Sequence, residues 1–158
     1  MSHSHTHTYR ATLSWEGSTA AGYDAYDRAH RVAVPPATAP LELSGDPAFK
    51  GSPDRANPEQ LLLAAASSCQ LLSFLAYAAR SRIEVTGYED DAEALMPEDD
   101  PPVRITQITL RPRITVGPDA NVDRVHRLVE KAHAACFIAN SLRSEMRIEA
   151  EVVVRGAT

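Results

Sequence analysis

Residues 57–69 read NPEQLLLAAASSC, and the apolar pattern continues to about residue 81. Asn57 is a favoured helix cap, Pro58 suits the first helical position, and Gln60 stands where a capping box needs it. The stretch therefore predicts a long helix over residues 58–81. A helix that is apolar all round has to be enclosed on every side. Because the strands of one chain cover one side, we expect a second copy of the chain to cover the other.

Strand patterns lie on both sides of this helix. Alternation of apolar and polar residues, which is typical of strands, occurs at residues 9–15, 26–34, 83–95, 103–116 and 148–154, with one short strand at 41–43. A second helix is expected to open at Asn121 or at Pro118-Asp119. The resulting order of strands and helices is typical of an α+β protein. At 158 residues, the chain is expected to form a single domain over residues 1–158, with residues 1–8 as a disordered tail.

Charge and hydropathy exclude several classes of partner. The chain has 16 basic and 21 acidic residues and a net charge of −5, which gives a nucleic-acid partner no electrostatic support. No unbroken apolar run approaches the roughly 18 residues that span a bilayer. The first seven residues lack the basic and apolar regions of a signal peptide. We therefore expect no membrane partner and a cytoplasmic location, which suits reduced thiols.

Histidines provide two weak indications of a metal site. His3, His5 and His7 alternate near the N-terminus, where successive side chains of an extended segment project to opposite faces. His126 and His133 precede Cys136, but a fourth ligand is not evident. The sequence therefore predicts neither a bound metal nor a cofactor.

The two cysteines are the strongest chemical signal in the sequence. Cys69 lies in the middle of the apolar helix, and Cys136 closes the second helical pattern. A buried free cysteine is often an inert small apolar residue. Two thiols that are distant in sequence can nevertheless form a reversible disulfide if the fold brings them together. The pair therefore suggests thiol redox chemistry.

These features together resemble the OsmC/Ohr family of hydroperoxide-reducing proteins. The resemblance rests on the helix start at residues 57–62, a cysteine in the middle of that helix, and a second cysteine that leads into residues 140–142. It runs over residues 9–154, and residues 26–30 and 136–139 look closest to an OsmC-like branch. Better-known members have a Pro-containing sequence after the second cysteine, where this chain has Phe-Ile-Ala.

The resemblance implies a fold and an activity. The fold is an intertwined homodimer, in which antiparallel sheets pack around long central helices and both active sites lie at the subunit interface. The activity is that of a thiol peroxidase, which reduces organic hydroperoxides and is reset by an external dithiol. By position, Cys69 is the peroxidatic thiol, Cys136 is the resolving thiol that forms a disulfide with it, and Glu59 holds a catalytic arginine.

The arginine is needed because an ordinary thiol is mostly protonated at neutral pH, whereas the thiolate is the nucleophile. Cys69 lies about three turns into its helix, too far for the helix dipole to help much. A guanidinium stays charged at any physiological pH and can also stabilise the leaving oxygen. Arg28 is our choice for this cation, since it shares a strand face with apolar residues; Arg31 and Arg55 are alternatives.

A second class of function fits the same sequence. The chain could be a dimeric small-molecule or lipid-binding protein, or a redox sensor, that has the same fold without efficient peroxidase activity. Counting thiols with and without one equivalent of organic hydroperoxide tests for catalysis, because reduction through both cysteines removes two thiols per chain and binding alone removes none.

Overall fold

The computed structural model describes residues 5–156 and confirms the α+β class. It divides into two compact units, the first ending at Leu61 and the second beginning at Leu62. Residues 5–8 of the predicted tail are exposed and belong to no helix or strand, and His3 lies outside the described residues. The single domain over residues 1–158 stays a prediction.

The first unit contains one three-stranded antiparallel sheet in the order β1-β2-β3. Its strands are β1 (Thr12–Ser14), β2 (His30–Ala33) and β3 (Leu41–Leu43). Only the third strand has the predicted length. Residues 26–29 leave the predicted second strand because Asp27 bonds locally: its carboxylate accepts from the N–H of Ala29 at 2.8 Å, and its carbonyl accepts from Trp15 at 2.8 Å. Such bonds compete with a strand ladder.

The long helix α1 (Pro58–Arg80) begins with the predicted capping box. The N–H of Gln60 donates to the side-chain oxygen of Asn57 at 2.8 Å, and the N–H of Asn57 donates to the side-chain oxygen of Gln60 at 3.1 Å. The Asn57 amide also donates to the Asp46 carboxylate at 3.2 Å. These bonds satisfy backbone donors that a helix start leaves free, and so they fix where α1 begins.

Within one chain, α1 is covered along a single face. Its buried residues recur every four positions and are Ala66, Gln70, Phe74 and Ala78. Leu72, which lies between Gln70 and Phe74 in the sequence, remains 64% exposed. By length and composition alone, α1 could also cross a membrane. The core helices of soluble proteins meet the same two criteria. Among residues 5–156 of one chain, nothing therefore covers the apolar face around Leu72.

The second unit holds the other strands in two three-stranded sheets. They are β4 (Val85–Asp90), β5 (Glu93–Leu95), β6 (Gln107–Leu110), β7 (Pro112–Val116), β8 (Glu145–Ile148) and β9 (Glu151–Val154). One sheet has the order β4-β7-β9 and the other the order β5-β6-β8. The β4–β7 and β5–β6 pairs are antiparallel as expected, whereas β6–β8 and β7–β9 are parallel. The parallel pairs arise because the helix α2 (Val122–Ala135) connects β7 to β8 as a crossover.

The two central strands predicted for this unit, 83–95 and 103–116, are each divided in two, whereas the strand predicted at 148–154 is β9, preceded by a strand β8 that was not predicted. The division of the two central strands has a local cause, because the Asp90 carboxylate accepts from the backbone N–H of Arg111 at 2.7 Å and from the Ser67 hydroxyl at 2.5 Å. A side chain thereby takes up a backbone donor that a continuous ladder would use. The same bonds connect α1 to both central strands at a point two residues before Cys69.

Two buried clusters surround the middle of α1. The first contains Phe74 of α1 with residues of β7 and α2, and the second contains Ala66 of α1 with Ile108 and Leu110 of β6. Both clusters lie within the second unit. Cys69 falls between Ala66 and Phe74, so that both clusters fix its position.

Candidate active site

The structure brings Cys69 and Cys136 together. Cys69 is half-buried on α1, and Cys136 is buried at the end of α2; both are free thiols. The two side chains lie within hydrogen-bonding reach of each other. Beside them, the side-chain amide of buried Gln70 donates to the carbonyl of Val129 at 3.1 Å, which connects α1 to α2. The predicted proximity of the two thiols is therefore present in a single chain.

The local backbone explains why the second sulfur faces the first. Cys136 caps α2: its N–H donates to the carbonyl of His133, and its own backbone is extended, with φ −69° and ψ 116°. The chain then turns through a short 3-10 helix at Ala139–Ser141, and the N–H of Ala139 donates to the Cys136 sulfur at 3.4 Å. The sulfur is consequently held at the inside of a tight turn.

The two thiols differ in acidity. Burial raises the pKa of Cys69, but this effect is outweighed by hydrogen bonds from the Cys136 thiol, the backbone N–H groups of Ile138 and Phe137, and the Ser73 hydroxyl, so that the net pKa is lowered. Burial raises the pKa of Cys136, and the neighbouring Cys69 raises it further. The first proton therefore leaves Cys69, which is the position predicted for the nucleophile.

Arg28 lies in the first unit within a cluster of aromatic rings. Its guanidinium donates to the carbonyl oxygens of Tyr26 at 2.9 Å and Tyr23 at 2.7 Å. Its Cζ atom lies 4.0 Å from the ring centre of Tyr26 and 4.7 Å from that of Tyr23. In the part of the chain that the structure describes, no carboxylate lies within 4.0 Å of this cation. Its charge is therefore held in place without being neutralised.

The alternative arginines have a different setting. Arg31 and Arg55 both pair with the Glu42 carboxylate, at 2.7 Å and 3.0 Å, on the exposed side of the first sheet. The pKa of the Glu42 carboxyl is lowered. The hydrogen bond from Arg31 is the largest cause, burial opposes it, and Arg55 lowers the pKa further. A paired cation on the surface is a weaker candidate for catalysis than the unpaired Arg28.

Glu59 is half-buried in the first turn of α1, where a carboxylate complements the helix dipole. Among residues 5–156, no ion pair joins Glu59 to Arg28, although the resemblance implied that this carboxylate holds the arginine. The physical reason is that two carbonyl oxygens and two aromatic rings already hold the guanidinium. The catalytic roles of Arg28 and Glu59 stay predictions.

Arg28 lines one part of an open, largely apolar cavity of about 440 Å³ within the first unit. Its walls include Leu13, Trp15, Tyr26 and His30. Trp15 and Tyr26 meet edge to face, with ring centres 6.2 Å apart. The cavity could hold an uncharged organic group beside a fixed cation.

Sequence reasoning missed several parts of this arrangement. The aromatic partners of Arg28 were not predicted, although Tyr23 and Tyr26, which shortly precede it in the sequence, were a usable signal, since guanidinium groups often stack on aromatic rings. The contribution of the Phe137 and Ile138 backbone N–H groups to the Cys69 pKa could not be predicted, because every residue except proline has such a group. Across the described ranges, no group of three or more His, Cys, Asp and Glu residues is placed to hold a metal ion.

Comparisons with known proteins identify the family to which this chain is similar. A family model described as OsmC-like protein matches residues 51–151. The uncharacterized protein YmaD of Bacillus subtilis (strain 168) is 26% identical over 108 residues, which cover 66% of this chain and 72% of that protein.

Solved structures agree on the fold. An OsmC-like protein of unknown function from Vibrio cholerae O1 biovar eltor superposes with a TM-score of 0.82 at 25% identity, over 94% of this chain and 100% of that one. An organic hydroperoxide resistance protein from Elizabethkingia anophelis superposes with a TM-score of 0.70 at 20% identity, over 96% and 99% of the two chains. Because the family model matches well over half of this chain, the chain belongs to the OsmC-like protein family.

Proposed function

We propose that this protein is a thiol peroxidase that reduces organic hydroperoxides through Cys69 and Cys136. Membership of the OsmC-like family supports a redox function in general terms. The observation that carries the more specific proposal is the contact between two free thiols whose pKa values move in opposite directions, down for Cys69 and up for Cys136. One thiol is thus prepared to act as a nucleophile, and the other remains protonated beside it.

The proposed cycle has three steps. The Cys69 thiolate attacks one peroxide oxygen and the O–O bond breaks, so that sulfur is oxidised to a sulfenic acid and the substrate leaves as an alkoxide, which takes a proton to become the alcohol. The Cys136 sulfur then attacks the sulfenic sulfur, which forms the disulfide and releases water. An external dithiol reduces this disulfide by thiol exchange and is itself oxidised to a disulfide.

Arg28 is proposed as the cation that stabilises the departing alkoxide. Two features support this role: its guanidinium has no carboxylate partner in the part of the first unit that is described, and it borders an apolar cavity. The apolar walls favour an organic hydroperoxide over hydrogen peroxide, because burial of an apolar group is favourable and hydrogen peroxide has none to offer.

The proposal includes a homodimer as the working unit. Support comes from α1, whose apolar face around Leu72 and Leu75 is left uncovered by the described part of one chain, with these two residues 64% and 37% exposed. A second copy of the same helix is a partner of matching chemistry, and a two-fold axis would cover both faces at once. The active sites are proposed to lie at this subunit interface.

Steady-state turnover with an organic hydroperoxide and a dithiol reductant tests the proposal. We expect Cys69→Ser to abolish turnover, since Cys136, the other cysteine, is buried and has a raised pKa. Ser68→Ala, which changes an exposed neighbour on the same helix, is the matched control and should turn over like the wild type. Undiminished turnover in Cys69→Ser would contradict the proposed function.

Binding without turnover is a second candidate, favoured by the aromatic cavity of the first unit. Trp15, the only tryptophan of the chain, lies in its wall and reports on occupancy through its fluorescence. A binding protein would show a saturable change of this fluorescence with apolar alcohols and no loss of thiols on exposure to hydroperoxide. A peroxidase would lose both thiols.

A further inference from the structure

A buried glutamine joins the two helices that carry the cysteines. Gln70 follows Cys69 on α1 and is only 1% exposed. Its side-chain amide donates to the carbonyl oxygen of Val129 on α2 at 3.1 Å. Val129 lies two turns before Cys136, and both residues are buried on the same side of α2. Gln70 therefore bonds to α2 at a point roughly 10 Å along the helix axis from Cys136.

The Gln70 side chain is only partly satisfied, so its net contribution to stability is small. Within residues 5–156, its Oε1 atom is buried and has no hydrogen-bond partner. An amide oxygen in this state offsets much of what one neutral hydrogen bond contributes. The Val129 carbonyl does not depend on Gln70, because a carbonyl at this place in a helix accepts from the N–H four residues later. An apolar side chain of similar length would leave no backbone group of α2 unsatisfied.

The bond from Gln70 differs in kind from the other buried contacts of the two helices. The cluster that they share is apolar and includes Phe74 and Ala78 of α1 with Val125 and Ala132 of α2. Apolar burial is non-directional, whereas a hydrogen bond requires a specific distance and angle. Among residues 5–156, this bond is the only side-chain hydrogen bond that connects α1 to α2. It therefore restricts sliding of one helix along the other more sharply than the apolar cluster does.

We infer that Gln70 is a positioning residue, whose bond to Val129 fixes α2 along α1 and so holds the Cys136 sulfur beside that of Cys69. Buried polar groups set the register of packed helices in coiled coils, at some cost in stability. The inference rests on the proposed function only in taking the two cysteines as a redox pair.

Equilibration with glutathione measures this positioning without any peroxide. The Cys69 thiolate attacks oxidised glutathione and releases one reduced glutathione, and the Cys136 thiolate then displaces the second from the mixed disulfide. The protein loses two electrons, and its two thiol protons pass to the released glutathione. The equilibrium constant depends on how often the reduced protein holds the two sulfurs in contact. After an acid quench and alkylation, it is obtained from the ratio of linked to free tryptic peptides 56–80 and 132–143.

Gln70→Met removes the bond and retains an unbranched side chain. We expect its equilibrium constant for disulfide formation to fall roughly threefold to tenfold, because loss of one hydrogen bond allows other arrangements of the helices to compete. Its thermal midpoint in the reduced form should equal or exceed that of the wild type. Phe74→Leu is the matched control, since Phe74 is buried one turn further along the same face of α1 and makes no such bond. This variant should have a lower midpoint and the equilibrium constant of the wild type.

Two results would overturn the inference. One is a wild-type equilibrium constant in Gln70→Met. The other is a Gln70→Met protein that does not fold, or that shifts in both measurements as Phe74→Leu does, because Gln70 would then serve the fold in general. Peroxide turnover is measured separately on the same proteins. A wild type without turnover would refute the proposed function and would leave the glutathione result as it stands.

Discussion

The uncovered face of α1 leads to a quantitative prediction about assembly. Burial of a whole leucine side chain contributes about 1.5–3 kcal/mol. Leu72 retains 64% of its exposure in the single chain, so that covering it in both subunits of a symmetric dimer would contribute roughly 2–4 kcal/mol. We expect Leu72→Glu to lose this contribution and to bring two carboxylates into an apolar contact. The apolar loss alone corresponds to about a 20-fold to 1,000-fold weaker dimer.

Light scattering across a dilution series measures this change. The wild type should show twice the 17.2 kDa chain mass, and Leu72→Glu should dissociate at a much higher concentration. Leu95→Glu is the matched control: Leu95 is 46% exposed on β5, and its neighbour Ala94 packs against the second core cluster, which turns Leu95 to the opposite face of the strand. A monomeric wild type, or a Leu72→Glu variant as tightly dimeric as the wild type, would refute the reasoning.

Three further predictions concern chemistry and stability. Cys136→Ser should reduce about one equivalent of organic hydroperoxide and then stop with Cys69 as a sulfenic acid, which a sulfenic-specific probe detects; continued turnover would contradict the resolving role. Arg28→Ala should slow peroxide reduction by roughly one to three powers of ten with the circular dichroism spectrum unchanged, whereas unchanged kinetics would transfer the role to the alternatives Arg31 or Arg55. Burial, followed by the nearby Asp90 charge, raises the pKa of Tyr88, so the folded state binds the Tyr88 proton more tightly than the unfolded chain does. Stability should therefore fall as the pH rises above the ordinary tyrosine pKa of about 10. Tyr88→Phe, which also removes a buried hydroxyl without a hydrogen-bond partner in the described chain, should flatten this fall in alkaline denaturation curves, and an unflattened curve would exclude the explanation.

Features set by local interactions could be predicted from the sequence. The start of α1 depends on side chains three residues apart, Asn57 and Gln60, and both predicted bonds are present. For the start of α2 the sequence left Asn121 and Pro118-Asp119 as alternatives, and the structure has Asn121, whose side chain accepts from the N–H of Arg124 at 2.8 Å. A cap is determined by its own few residues, whatever packs around it.

Features that depend on distant parts of the chain were harder to predict from the sequence. The patterns of β7 and β9 indicate strands but do not encode their parallel pairing, which follows from the course of α2. The setting of Arg28 depends on a turn that directs two carbonyl oxygens at its guanidinium, and strand alternation contains no such information. The contact between Cys69 and Cys136 was an expectation from family resemblance, because spacing along the sequence does not determine a distance in space.

The central claim is that the two thiols act as one redox pair, and the most direct test is a thiol count with peptide mapping. The fully reduced protein is mixed with one equivalent of an organic hydroperoxide per chain and quenched without reductant. We expect both thiols to disappear together and the tryptic peptides 56–80 and 132–143, which carry Cys69 and Cys136, to be recovered as one disulfide-linked product. Recovery of both peptides as free thiols, with the hydroperoxide unconsumed, would contradict the claim.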